Sequence, residues 1–102
     1  MKGGTNMEQY WQHIIDSLTV DDANILGILL DSDSTTRIKA MQNANLCDKS
    51  ELSEARYRKV VAKLIALKFI DVANDKKQYS YFINDYGQQA LHSIIAINHK
   101  EG

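Results

Sequence analysis

A chain of 102 residues, 44% hydrophobic and 25% charged, has enough apolar surface for one small domain and too little length for two. No apolar run approaches the roughly 18 to 20 residues needed to cross a bilayer, and the single cysteine, Cys47, excludes an internal disulfide and a zinc site built from several thiolates. The net charge of −1 conceals an asymmetry: Ser34 to Ser80 carries ten Lys/Arg against five acids, which leaves −6 for the remainder. One face aimed at a polyanion is therefore expected, with the acidic terminal segments placed elsewhere.

Residues 1 to 7 lack the apolar core of a signal peptide and read as a flexible leader, so a cytoplasmic chain is expected, with one domain from 8 to 102. From Glu8 to Leu18, the residues Tyr10, Trp11, Ile14, Ile15 and Leu18 fall at helical spacing. Thr19 and Asp22 form a capping box with Asp in place of Glu, opening a second helix whose apolar face includes Ala23, Leu26, Leu29 and Leu30. Asp31-Ser32-Asp33 stops it. Ser34-Thr35-Thr36 suits a minimal strand, and Ile38, Met41 and Ala44 at three-residue steps predict a short helix from Arg37 to Asn45.

Leu46 to Ser50 breaks that pattern, and Ser50 or Ser53 is placed to cap the next helix, so the two helices form a helix-turn-helix. In the second of them Tyr57, Val60, Val61, Leu64 and Leu67 make the apolar stripe, while Arg56, Lys59 and Lys63 share another stripe, with Arg58 on the opposite flank. Phe69 to Ala73 and Gln78 to Ile83 are β-branched and aromatic runs separated by Asn74 to Lys77, which predicts a hairpin. Asn84 or Asp85, with Gln88 following, caps a last helix whose Ala90, Leu91, Ile94 and Ile95 need an apolar partner.

This order is similar to that of winged helix-turn-helix regulators of the MarR and PadR kind over Thr19 to Ile95. The resemblance is carried by Val60-Val61-Ala62-Lys63-Leu64-Ile65-Ala66-Leu67-Lys68-Phe69-Ile70 and by Phe82-Ile83-Asn84-Asp85-Tyr86-Gly87-Gln88-Gln89-Ala90-Leu91. The chain departs from the pattern in having Lys68 where a glycine is usual before strand two, a long turn between the two helices, and a short wing without Asp-x-Arg. The resemblance implies an α+β, mainly helical fold: a winged helix-turn-helix with N- and C-terminal flanking helices, built to bind double-stranded DNA.

Arg56, Lys59 and Lys63 are then expected at the major groove or its phosphates, with Arg58 beside them and Ser53 and Glu54 at the helix start. Ser50, Arg37 and Lys39 belong to the supporting elements, and Asn74, Lys76 and Lys77 to the wing. Each cation taken singly also fits a solvated surface; the succession of basic helix and basic hairpin favours DNA. Tyr10, Trp11, Ile14, Leu91, Ile94 and Ile95 are assigned to a homodimer interface, although packing within one chain would use the same faces.

Tyr79, Tyr81 and Tyr86 look like hairpin packing, and a small-molecule effector stays open. His13, His92 and His99 are dispersed and call for no metal, no cofactor is expected, and no nucleophile-base pair or phosphate loop marks an enzyme. A homodimeric transcriptional repressor is the first expectation. A centromere-binding protein for plasmid or phage segregation and a winged-helix protein-interaction module are the alternatives.

Overall fold

The computed structural model describes residues 3–75 and 78–101. Helix α1 spans Gly3–Asp16, and so begins upstream of Glu8 within the segment read as a leader. Helix α2 spans Val20–Asp31 and opens on the expected capping box. The Thr19 hydroxyl oxygen accepts from the Asp22 N–H at 3.2 Å, and Asp22 Oδ2 accepts from the Thr19 N–H at 2.8 Å. Both bonds satisfy N–H groups that a helix start leaves without partners.

After α2 the chain departs from the sequence expectation. Ser34 to Thr36 form no strand; strand β1 is Met41–Gln42, and helix α3 is Asn43–Ser50 rather than Arg37 to Asn45. Asp33 takes a left-handed φ of 60°, and buried Ser34 is held at both ends, its N–H donating to the Leu29 carbonyl and its own carbonyl accepting from Ile83. The three-residue spacing of Ile38, Met41 and Ala44 was a chance match, since Ile38 is 95% exposed in the connecting loop. Moving α3 toward the C-terminus also removes the long turn. Only Glu51, Leu52 and Ser53 separate α3 from helix α4, Glu54–Ala66, and Glu51 closes α3 at a left-handed φ of 60°.

Ser53 caps α4 by accepting from the Arg56 N–H, while Tyr57, Val60, Val61 and Leu64 bury the predicted stripe. Lys68 then turns the chain at a φ of 69°, which is why glycine is usual there. Strands β2, Ile70–Asp75, and β3, Gln78–Ile83, form the predicted hairpin, with β3 central in an antiparallel sheet ordered β1-β3-β2. Helix α5 spans Asp85–Glu101. Ile25, Leu26, Leu29, Leu46, Leu64, Phe69, Ile70 and Ile83 make the fully buried centre between the helices and the sheet.

Asn84 joins the end of the sheet to α5. Its Oδ1 accepts from the Gly87 N–H at 2.9 Å, and its Nδ2 donates to the Lys68 carbonyl at 2.7 Å and to Asp71 at 3.1 Å. The α5 start is thus pressed onto the strained Lys68 turn. A Cβ at Gly87 would collide with the Phe69 carbonyl oxygen and lie 2.7 Å from Ile83 Cγ1.

Two substitutions test these constraints by urea denaturation. Gly87→Ala is expected to destabilise by about 1–3 kcal/mol, because the obstructing atom is backbone and the steric cost outweighs the gain in helix propensity. Lys68→Gly is expected to stabilise by about 0.5–1 kcal/mol through relief of the left-handed conformation.

Candidate nucleic-acid interface

The helix-turn-helix is held by contacts that its polar residues make across elements. Tyr57 on α4 directs its hydroxyl to the Asn43 Oδ1 at 2.7 Å and the Asn43 carbonyl at 3.1 Å, tying the first turn of α3 to α4. Burial, with Tyr81 and Cys47 nearby, pushes the Tyr57 hydroxyl well above the usual phenol range, so it remains a donor. Asn24 on α2 donates to the Ser50 carbonyl at 3.0 Å and ties α2 to the end of α3. Ser50 itself is buried, donating to the Cys47 carbonyl and accepting from the Leu52 N–H. Its expected place on the DNA surface is corrected: it shapes the turn from inside.

The cationic stripe of α4 is divided between packing and exposure. Lys63 is part-buried; its Nζ donates to Asp22 Oδ2 at 2.7 Å and to the Ser17 carbonyl at 2.8 Å. Arg56 reaches Asp21 Oδ2 at 2.6 Å. These two cations lie seven positions apart on the edge of α4 that adjoins α2; Lys63 is drawn into the junction, whereas the Arg56 side chain stays 63% exposed. The acidic N-terminal third does not sit elsewhere, because Asp21 and Asp22 fold directly against the basic helix. Asp22 is 1% exposed, and its contact with Lys63 partners the carboxylate with an ammonium and a backbone N–H together.

Lys59 lies on the same stripe between Arg56 and Lys63 and is exposed, and Arg58 is exposed on the opposite flank. Among the described residues Lys59 forms no ion pair, and Arg58 makes a loose one with Glu54 at 3.9 Å between exposed side chains. Ser53 and Glu54 are exposed at the N-terminal end of α4, beside Ala55. The exposed surface of the helix is therefore Glu54, Ala55, Arg56, Arg58, Lys59 and Ala62, with Lys63 withdrawn from the sequence stripe.

On the wing side, Arg37 and Asn74 flank an open trough of about 410 Å³ whose floor is the cross-strand row Gln42, Ser80 and Ala73. Lys39 is drawn to Asp33 at 2.7 Å, which raises its pKa through that hydrogen bond, and both side chains stay in solvent. Lys76 and Lys77 lie outside the described residues. Sequence reasoning missed Asp21 and Asp22 as partners of α4 and Gln42 as part of the trough. The capping box placed Asp22 at a helix start, but no local signal connects positions 22 and 63.

The flanking helices pack partly within the chain. The Trp11 ring meets Phe69 edge-on at 6.0 Å, Leu91 is buried, and Ile14 and Ile94 lie against the core. Met7 and Tyr10 on α1 and Ile95 on α5 are left exposed, so the expected interface set divides between core and surface. Among the described residues no helix is long and apolar enough to cross a membrane, and no cluster of His, Cys, Asp and Glu could hold a metal ion.

No protein-family model matches the chain. It is 34% identical over 95 residues to the DNA-binding protein TubR of Priestia megaterium, covering 93% of this chain and 92% of that protein. The solved structure of TubR from Bacillus megaterium pBM400 superposes with a TM-score of 0.80 at 32% identity, over 85% of this chain and 97% of that one. The zinc-responsive MarR family member ZitR of Lactococcus lactis gives a TM-score of 0.61 at 18% identity over 95% of this chain and 76% of its own, a likeness of fold alone. The winged-helix architecture is thus shared with MarR proteins, whereas sequence and fold together run with TubR along nearly the whole of both chains: this chain belongs to the TubR family of DNA-binding proteins.

Proposed function

We propose that the protein is a homodimer that binds double-stranded DNA at a repeated, centromere-like site and serves the segregation of a plasmid or phage genome. The observation that carries this reading is the kinship with the DNA-binding protein TubR along 93% of the chain, together with the fold shared with TubR from Bacillus megaterium pBM400. It reverses the order given by sequence alone, where repression came first. The exposed Arg58 and Lys59, the Arg37 and Asn74 trough and the hairpin beside it supply a surface suited to one duplex groove and its flanking phosphates. Two protomers would place their α4 helices about one helical turn apart. Repression of a neighbouring gene is the second reading, favoured by the same fold and compatible with the same surface.

Footprinting on DNA around the protein's own gene, at two salt concentrations, tests the proposal. Protection across clustered repeats with salt-sensitive affinity is expected; one isolated pseudo-palindrome would favour repression, and no duplex binding would overturn both readings. Charge reversal at Arg56 and Lys59 that left DNA affinity intact would favour a protein-interaction module.

Lys59 and Lys63 separate DNA contact from packing. Lys59→Ala is expected to lower the slope of log K against log salt by about 0.9 per protomer with little change in stability. Lys63→Met is expected to cost about 2 kcal/mol in urea denaturation by stranding the Asp22 carboxylate, discounted because the lysine is part-exposed, with the salt slope of the folded protein retained. For the dimer, Tyr10→Glu together with Ile95→Glu is expected to shift the mass by light scattering from dimer to monomer while the thermal transition persists.

A further inference from the structure

The sheet buries a hydroxyl on the side turned away from the core. Cross-strand partners in antiparallel pairs point to one side, so Gln42, Ser80 and Ala73 form one row, while Met41, Tyr81 and Val72 form the next and pack inward. Ser80 is nevertheless only 8% exposed, at the floor of the trough that Arg37 and Ile38 wall on one side and Asn74 on the other. Unlike the buried Ser50, it has no hydrogen-bond partner for its hydroxyl among the described residues. No buried side-chain oxygen there is both unpartnered and sealed from solvent, so the Ser80 hydroxyl opens into the trough.

The lining is rich in donors. Arg37 is exposed and forms no ion pair among the described residues, whereas its neighbour Lys39 is drawn to Asp33. No carboxylate among the described residues lines the trough, and the Gln42 and Asn74 amides can donate beside the guanidinium and the hydroxyl. A phosphate satisfies such a set, because it carries negative charge and several acceptor oxygens that a guanidinium can hold two at a time. The volume of about 410 Å³ falls in the range of small-ligand pockets, roughly 300–1,000 Å³, and exceeds what a bare oxyanion needs. Ile38, 95% exposed at the rim, supplies an apolar flank for the carbon atoms of a sugar.

We propose that this trough is a binding site for a phosphate carried on a sugar, with Arg37 and the Ser80 hydroxyl donating to the phosphate oxygens and Ile38 resting against the sugar. A free nucleotide and the backbone of a bound duplex both present that chemistry. The site stands on the trough alone and does not require the DNA-binding reading.

The test titrates the full chain with deoxythymidine 5′-monophosphate, with inorganic phosphate and with its footprinted duplex, following amide NMR resonances, and repeats each titration with Arg37→Ala and Ser80→Ala. Both variants should keep the thermal transition, since Arg37 is exposed and Ser80 loses only an unpartnered hydroxyl. Saturable shifts at Gln42, Asn74 and Ser80 are expected, with affinity lowered roughly 10- to 100-fold by either variant. Inorganic phosphate should bind more weakly than the nucleotide. Nucleotide binding lost in both variants assigns the site to a free ligand; no nucleotide binding, together with weaker duplex binding in both variants, assigns it to the DNA backbone. If neither ligand responds to Ser80→Ala the site is overturned, even where Arg37→Ala weakens both, because an exposed arginine alone attracts any polyanion. Failure to bind any duplex would sink the DNA-binding reading and leave the nucleotide titration to decide this one.

Discussion

The Asp22 carboxylate is the point on which the presentation of the recognition helix depends. One oxygen accepts from the Thr19 N–H, which starts α2, and from Lys63 Nζ, which fixes α4 against that start. Because the side chain is almost wholly buried, both contacts are needed to offset the cost of removing a charge from water. Lys63 in turn donates to the Ser17 carbonyl, so the turn between α1 and α2 is drawn into the same junction. With Asp21 holding Arg56 nearby, the orientation of α4 is set along one edge by two acids of a single helical turn.

That junction divides the positive charge of α4 between structure and recognition. Arg56 and Lys63 pair with acids of the same chain, and Lys39 does so with Asp33, so the net positive charge there is smaller than the local excess of lysine and arginine implies. Sequence-independent attraction then depends on fewer cations. Polar groups of mixed sign, Glu54 among them, occupy the exposed start of α4.

The other end of α4 is governed by backbone geometry. Lys68 adopts a conformation that glycine would take at no steric cost, and the Asn84 amide stabilises the turn by bonding its carbonyl. The same asparagine caps the start of α5 through Gly87, whose lack of a side chain lets α5 approach the Phe69 carbonyl. Wing and C-terminal helix are therefore mounted on one turn. Trp11 packs part-buried against the adjoining core and Leu91 is buried in it, while Met7 and Tyr10 on α1 and Tyr86 and Ile95 on α5 remain exposed.

Local patterns in the chain were sufficient wherever partners lie close in sequence. The Thr19 and Asp22 capping box, the Tyr57 to Leu64 stripe, the existence of the hairpin and a cap at Asn84 or Asp85 depend on neighbours within a few residues or across one short turn and were legible, although β2 runs on through Asn74 and Asp75, which the sequence assigned to the turn. The segment from Ser34 to Ser50 was not, because its backbone is set by Ile83 and its helix by the HTH core, both distant in sequence. The exposed Ile38 then imitated a helical face that does not exist. By itself the sequence determined a winged helix with a basic reading helix. Only the tertiary structure decided which cations that helix can offer, because an ion pair between positions 22 and 63 depends on how two helices cross and leaves no periodicity in either of them.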